Sequence, residues 1–290
     1  LTRPELSVLI SYVKAELKQV LAASDVPDDR AIMKSLETAF PHELVARYKP
    51  ALYQHRLRRE IVATQTANDM INLMGITFID RLKQSLGCNV STITRAYVMA
   101  RDVFRLAEIW QDIEGLDHQI PAQLQMEMMS DLMRLVRRAT RWFARNRRTV
   151  LNNEQSVQMF LPAIDVVKRD IGSMLLGDTH NSWQCKLERF KNSGVPEHIA
   201  SVVAGSASLY ACLGIADAAS KTDIPVEEVA SVYFTLSEKL SLNWVNQQLA
   251  NMKVDNHWQA LARETFRDDI EWQQSSLTCS VLRFVQNEKS

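Results

Sequence analysis

The stretch His55–Leu82 reads HRLRREIVATQTANDMINLMGITFIDRL. It holds no proline, is interrupted only at Gly75, and spaces its apolar residues as a helix does. With Leu57 set at zero and about 100° per residue, Arg58, Gln65, Asn68, Asp69 and Asn72 fall in one arc roughly 100° wide, shared only with Ile61. Leu57, Val62, Ala63, Ala67, Met70, Ile71, Leu73 and Met74 take most of the remainder. A solvated arc would carry Lys and Glu, so amides there point to hydrogen bonds with a neighbouring helix, because buried polar groups need partners. Arg58, Gln65, Asn68 and Asn72 are therefore read as a structural polar seam; the alternative is a partly exposed face. Gly75 suits the end of the helix.

The same period continues on both sides. Upstream, Thr2, Pro4 and Glu5 make a capping-box start, followed by Leu6, Leu9, Ile10, Val13, Leu17 and Leu21 at helical spacing. Asp28 or Asp29 is placed to start a short helix that stops at Pro41. Downstream, Ile76–Leu86 closes at Gly87, and Ser91 or Thr92 opens a helix to about Leu116. Pro121 starts another, a pattern from Val157 to Leu176 bends near Pro162 and Gly172, and Gly177-Asp178 reads as a turn. The run from His198 to Ala219 is almost wholly apolar and small, so one central helix packed on nearly all sides is expected; a membrane span is the weaker alternative, because Glu197 and Asp217 flank and interrupt it. Glu227 and Glu228 open a helix through Trp244, and Asn256 caps a last one from Trp258 to Phe284. The expected fold is all-α, a multi-helix bundle of roughly ten to thirteen helices with no substantial sheet.

Composition agrees with a globular chain of 290 residues that can bury a sizeable core. Only 8 glycines and 8 prolines occur, which disfavours a turn-rich β protein. Lys plus Arg and Asp plus Glu balance at 34 each, which argues against a general polyanion binder. Cys88, Cys185, Cys212 and Cys279 form no C-x-x-C pair, as expected of free thiols in a reducing cytoplasm. The chain opens on Leu1 without a secretory signal and reads as a piece of a longer polypeptide.

Chemistry is sparse. There is no glycine-rich dinucleotide fingerprint, no phosphate-loop pattern and no H-E-x-x-H pair. The six histidines stand apart from one another in the sequence. No catalytic, cofactor-binding or metal-ligating residue is assigned. One feature exceeds background: Arg134, Arg137, Arg138, Arg141, Arg145 and Arg148 share an arc about 100° wide, opposite Leu132, Leu135, Val136, Ala139, Trp142 and Phe143. A solvated face with local ion pairs, a docking face for an acidic protein surface, and a nucleic-acid groove contact all fit. The absence of lysine favours docking, since guanidinium groups pair carboxylates bidentately, and zero net charge disfavours nucleic acid.

Five blocks then resemble a known family in order: LTRPELSVLISYVK at 1–14, ASDVPDD at 23–29, the opening stretch at 55–82, ITRAYVMARDVF at 93–104 and RWFARNRR at 141–148. They are similar to successive blocks of the large bacterial NAD-specific glutamate dehydrogenases, with REIVATQTAN the most specific. The match is strong over 1–150 and weak over 151–290. The resemblance implies that residues 1–290 form a C-terminal helical domain beyond the dehydrogenase core of a cytoplasmic homo-oligomer. Oxidative deamination of L-glutamate to 2-oxoglutarate and ammonium, with hydride passing to NAD, would belong to that upstream core. No position matches the family's catalytic or nucleotide-binding motifs. The expectation is thus an inactive assembly, packing or regulatory domain whose partner is the upstream catalytic domain, with no membrane role. A free-standing helical interaction module is the alternative, and a nucleic-acid binder a third.

Overall fold

The computed structural model describes residues 1–147 and 154–289. Within them the chain is helical, and no strand occurs among the described residues. The helices are α1 (Arg3–Ala23), α2 (Arg30–Met33), α3 (His42–Leu52), α4 (Arg58–Met74), α5 (Phe78–Leu86), α6 (Val90–Val103), α7 (Leu106–Glu114) and α8 (Ala122–Asn146). They continue as α9 (Glu154–Met174), α10 (Gly177–Asn192), α11 (Glu197–Ala204), α12 (Ser206–Leu209), α13 (Cys212–Thr222), α14 (Val226–Lys239), α15 (Leu242–Asn251) and α16 (His257–Lys289). Short 3-10 turns at Val26–Asp28 and Lys34–Ala39 join α1, α2 and α3.

The helix count exceeds the expected range because three runs expected as single helices are broken. The run 91–116 divides at Arg105, which adopts a left-handed backbone (φ 50°, ψ 44°), and the run after Pro225 divides at Ser241 (φ 51°, ψ 35°). The apolar run His198–Ala219 becomes α11, α12 and α13, with a bend of 61° between Glu197–Ala204 and Ser206–Thr222. Its break falls at Gly205, where a Cβ would run into the Ile171 side chain. No single helix among the described residues is long and apolar enough to cross a membrane, and only this bent pair passes by length and composition. Conversely, the bend expected near Pro162 and Gly172 does not interrupt α9, and Gly177-Asp178 starts α10 instead of standing as a separate turn.

The chain divides into two compact units. The first comprises 1–104 and 136–157, the second 105–135 and 158–290. In the first, α1 and the 3-10 turns pack along α4. Val62, Ala63, Thr66, Ala67, Met70, Ile71 and Met74 are the buried residues of α4, and they lie on the arc opposite its polar seam. Leu21, Ile32, Leu36, Ile93, Tyr97 and Phe143 complete the core at no more than 1% exposure. Burying side chains of this size stabilises by about 1.5–3 kcal/mol each relative to leaving them in water. Helix starts are set locally. Thr2 and Glu5 form the reciprocal capping box, and Asp29 accepts from the Ala31 amide at 3.0 Å. Asn89, rather than Ser91 or Thr92, caps α6, accepting from the Thr92 amide at 2.8 Å.

In the second unit α13 and α14 pack on α16, and α10 packs on α11. Phe160, Val167, Phe190, Val203, Leu213 and Val229 are buried there. The inner face of α16 is tied by Gln274 Nε2, which donates to the Tyr233 carbonyl at 3.1 Å, and by Tyr210 Oη, which donates to Glu271 Oε2 at 2.5 Å. Asn256 Oδ1 caps this helix, accepting from the Gln259 amide at 3.0 Å.

Candidate functional site

The polar arc of α4 holds one junction and several looser groups. Asp69 is its centre. Tyr97 Oη donates to Asp69 Oδ2 at 2.9 Å, and Arg101 Nη1 donates to the same oxygen at 3.1 Å. Arg101 Nε donates in turn to Asp102 Oδ1 at 2.9 Å. Tyr97 is fully buried. Burial, reinforced by Asp69, pushes its hydroxyl far above the ordinary phenol range. Burial alone would lower the Arg101 guanidinium, but Asp102 and Asp69 outweigh it and hold it above its usual value. Two helices, α4 and α6, are thereby joined through one carboxylate. Among the seam residues, Asn72 Oδ1 accepts from Lys14 Nζ of α1 at 2.7 Å, and Arg58 Nη2 donates to Asp28 Oδ1 at 3.3 Å. Gln65 and Asn68 are half-buried. The neighbouring Arg59 reaches the carbonyls of Ala22 and Ser24, at 3.1 and 2.6 Å, and so satisfies the C-terminal end of α1.

The arginine stripe is put to the same kind of use. Arg134 lies in the second unit and pairs with the buried Asp131, which also takes Lys186 of α10. One turn earlier on α8, Glu127 accepts from Arg189 Nη1 of α10 at 3.0 Å. Arg137, Arg138, Arg141 and Arg145 belong to the first unit. Arg137 Nη2 donates to the carbonyl of Met74, the last residue of α4, beside Gly75 with its φ of 84°. Burial, with Arg81 nearby, lowers the Arg137 guanidinium. Arg141 Nη1 donates to Ser85 Oγ in the last turn of α5 at 2.8 Å. The outward edge of the stripe is exposed at Arg134, Arg137 and Arg145, while Arg138 and Arg141 are half-buried. Arg148 lies outside the described residues. A guanidinium at a helix C-terminus supplies donors to orphan carbonyls and meets the negative end of the helix dipole.

Sequence reading missed Asp69 as the organising group, since it placed Asp69 in the arc without naming a partner. Spacing held a signal: Tyr97 and Arg101 stand four apart on α6 and therefore share a face that a single carboxylate can serve.

A dinucleotide needs a glycine-rich turn between a strand and a helix, with backbone amides open to the pyrophosphate. The closely spaced glycines Gly172 and Gly177 do not supply one. Gly172 sits under the Trp183 ring, and Gly177 lies against the Glu238 carboxylate, an anion where a pyrophosphate would have to approach. Among the described residues no group of three or more His, Cys, Asp or Glu is arranged to hold a metal ion. Cys212 is fully buried, and burial raises its thiol well above the usual range. Burial, with Arg105 close by, lowers the Lys168 ammonium. An open depression lined by Gln184, Cys185, Glu188, Arg189, Asn192 and Ser193 is a shallow face of α10.

The whole chain, residues 1–290, matches the family described as glutamate dehydrogenase, C-terminal. It is 48% identical over 282 residues to an NAD-specific glutamate dehydrogenase of Halomonas elongata, covering 97% of this chain and 17% of that protein. It is 47% identical over 289 residues to the protein of the same description from Pseudomonas aeruginosa, covering 100% and 18%. With the Mycobacterium tuberculosis NAD-specific glutamate dehydrogenase it shares 32% over 282 residues, covering 97% and 17%. The chain thus spans less than a fifth of the length of the curated relatives it matches. It belongs to the glutamate dehydrogenase C-terminal family.

Proposed function

We propose that this region is a non-catalytic helical domain that packs and assembles an NAD-dependent glutamate dehydrogenase, the oxidation of L-glutamate to 2-oxoglutarate and ammonium being carried out by a catalytic domain upstream in the same polypeptide. The observation that carries it is the unbroken family match from 1 to 290 against proteins more than five times longer. The use of ionisable side chains supports it. Asp69, Arg59, Arg101, Arg137 and Asp131 are engaged in tying helices to one another, which is the work of a scaffold. The exposed edge of the arginine stripe then serves as a docking face for an acidic surface of the upstream domain or of another subunit in a homo-oligomer.

The test uses the full-length protein and the region alone. Removing the region should lower the assembled mass or the thermal stability of the full-length enzyme, and the isolated region should show no glutamate-dependent reduction of NAD. Turnover by the isolated region, or a truncated enzyme with unchanged mass, stability and activity, would overturn the proposal. Changing Arg145 to Glu should weaken assembly; Arg134, Arg137 and Arg141 are poorer probes, because Arg134 pairs with the buried Asp131, Arg137 holds the last carbonyl of α4 and Arg141 holds Ser85 of α5. Unchanged assembly would remove the stripe from the interface.

A further inference from the structure

Helices α1 and α4 run antiparallel. Lys14 Nζ of α1 donates to Asn72 Oδ1 near the end of α4 at 2.7 Å, and Arg59 near the start of α4 donates to the carbonyls of Ala22 and Ser24. Helix α4 stops at Met74, so the first two turns of α1, about Arg3 to Ile10, run past its end. The apolar stripe of α1 does not stop with it. With Leu6 at zero and about 100° per residue, Leu6, Leu9, Ile10, Val13, Leu17 and Leu21 fall between roughly −60° and +60°. Over the last turns this stripe is core: Leu17 is 6% exposed and Leu21 0%. Over the first turns it faces water: Leu6 is 41% exposed and Leu9 39%, and no residue from Leu1 to Glu16 is buried. A single stripe on one helix is thus interior at one end and solvent-facing at the other, which marks an interaction surface.

Local geometry at the helix start gives the direction from which cover comes. Thr2 is extended (φ −73°, ψ 163°), its amide donates to Glu5 Oε2 at 2.7 Å, and its hydroxyl accepts from the Glu5 amide at 3.4 Å. With the Thr2 amide taken, the helix is not prolonged backwards, and a chain arriving at Leu1 enters across the helix axis. Leu1 directly precedes the cap and Leu6 is the fourth helical residue. Apolar residues at these two positions form a hydrophobic staple, which fixes the arriving chain on the side of the helix that carries Leu6. That side is the apolar stripe. A segment joined to Leu1 is also held beside the stripe at an effective concentration of roughly millimolar, an advantage no separate partner shares.

We infer that the polypeptide arriving at Leu1 packs, within the same copy, over the first turns of α1, covering Leu6, Leu9 and Ile10 with apolar side chains of its own. This rests on the reading proposed above, in which a catalytic domain precedes this region in the same polypeptide, and it names the surface that holds the upstream part. The experiment is photo-crosslinking in the full-length protein, with benzoylphenylalanine at position 9. The expected product is internal to one copy, keeps the single-chain mass on a denaturing gel, and joins position 9 to a peptide ahead of Leu1. In parallel, Leu6→Glu with Leu9→Glu, both at exposed sites of this region, should speed protease cleavage of the segment just ahead of Leu1 at least ~10-fold in the full-length protein, because burying two leucines is worth more than a factor of ten. Val8→Glu, on the far side of α1 at 55% exposure, should leave that cleavage unchanged. A crosslink to a second copy, a crosslink only within residues 1–290, no crosslink, or equal cleavage in the two variants would overturn the inference. Those outcomes leave the scaffold role standing, since that role fails on a different result, a truncated enzyme unchanged in mass, stability and activity.

Discussion

Removing the Asp69 carboxylate is the sharpest perturbation of the first unit. In Asp69→Ala the Tyr97 hydroxyl, at 0% exposure, loses its acceptor in a place water does not reach. A buried donor left unsatisfied costs about 1–3 kcal/mol. Arg101 loses one of its two carboxylates but keeps Asp102 at 2.9 Å. Breaking a fully buried ion pair costs about 3–5 kcal/mol, yet the Arg101 side chain is 19% exposed and Asp69 33%, so its share falls to about 1 kcal/mol. The expected loss is about 2–4 kcal/mol in urea unfolding, with the slope against denaturant unchanged. Tyr97→Phe alone should cost about 1–2 kcal/mol, since it leaves Asp69 paired with Arg101. In the Asp69→Ala background the same change should cost almost nothing, because the hydroxyl it deletes is already unsatisfied. The double-mutant cycle should therefore give a coupling of about 1–2 kcal/mol. An Asp69→Ala loss below about 0.5 kcal/mol, or strict additivity with Tyr97→Phe, would refute the junction.

Two further outcomes follow from local geometry. Gly177→Ala forces a side chain onto a backbone with φ of 52° and into the Glu238 carboxylate, and should cost about 1–2 kcal/mol by thermal unfolding; Glu238→Ala in that background should recover only the steric part. Tyr53 donates to Glu37, and burial together with that carboxylate pushes its hydroxyl up to about 12. The neutral phenol is favoured by folding, so its stabilisation is complete below the ordinary phenol pKa and should be lost as pH rises from about 10 to 12. Glu37, held low by Lys49 and Tyr53, works at the other end: its contribution is present above the ordinary carboxylate range and should fall away as pH drops through it. Tyr53→Phe should flatten the alkaline limb of a stability-against-pH curve, and an unaltered limb would count against the contact.

Much of the fold was legible because helical periodicity and capping residues act locally. The capping box at Thr2 and Glu5, the stop at Gly87 and the cap at Asn256 all depend on residues within one turn of the element they bound. The polar arc of α4 was legible for the same reason, since the arc follows from spacing alone. Its partners were not, because Lys14, Tyr97 and Arg101 come from distant parts of the chain. Nor were the breaks at Arg105 and Ser241, where residues with no glycine-like freedom adopt a left-handed backbone that only tertiary packing can impose. The arginine stripe was visible as a pattern, yet the carbonyl that receives Arg137 lies 63 positions away in sequence.

The bent apolar run of α11–α13 has a consequence in time. Its cover includes α16, whose Gln274 and Glu271 reach back to Tyr233 and Tyr210. Some fifty residues separate Thr222 from Gln274, so at about 5–20 residues per second a ribosome exposes the most apolar segment for roughly 3–10 s before its last partner emerges. During synthesis this unit must wait for its own final helix, and the nascent chain in that interval is where a chaperone would have most to do.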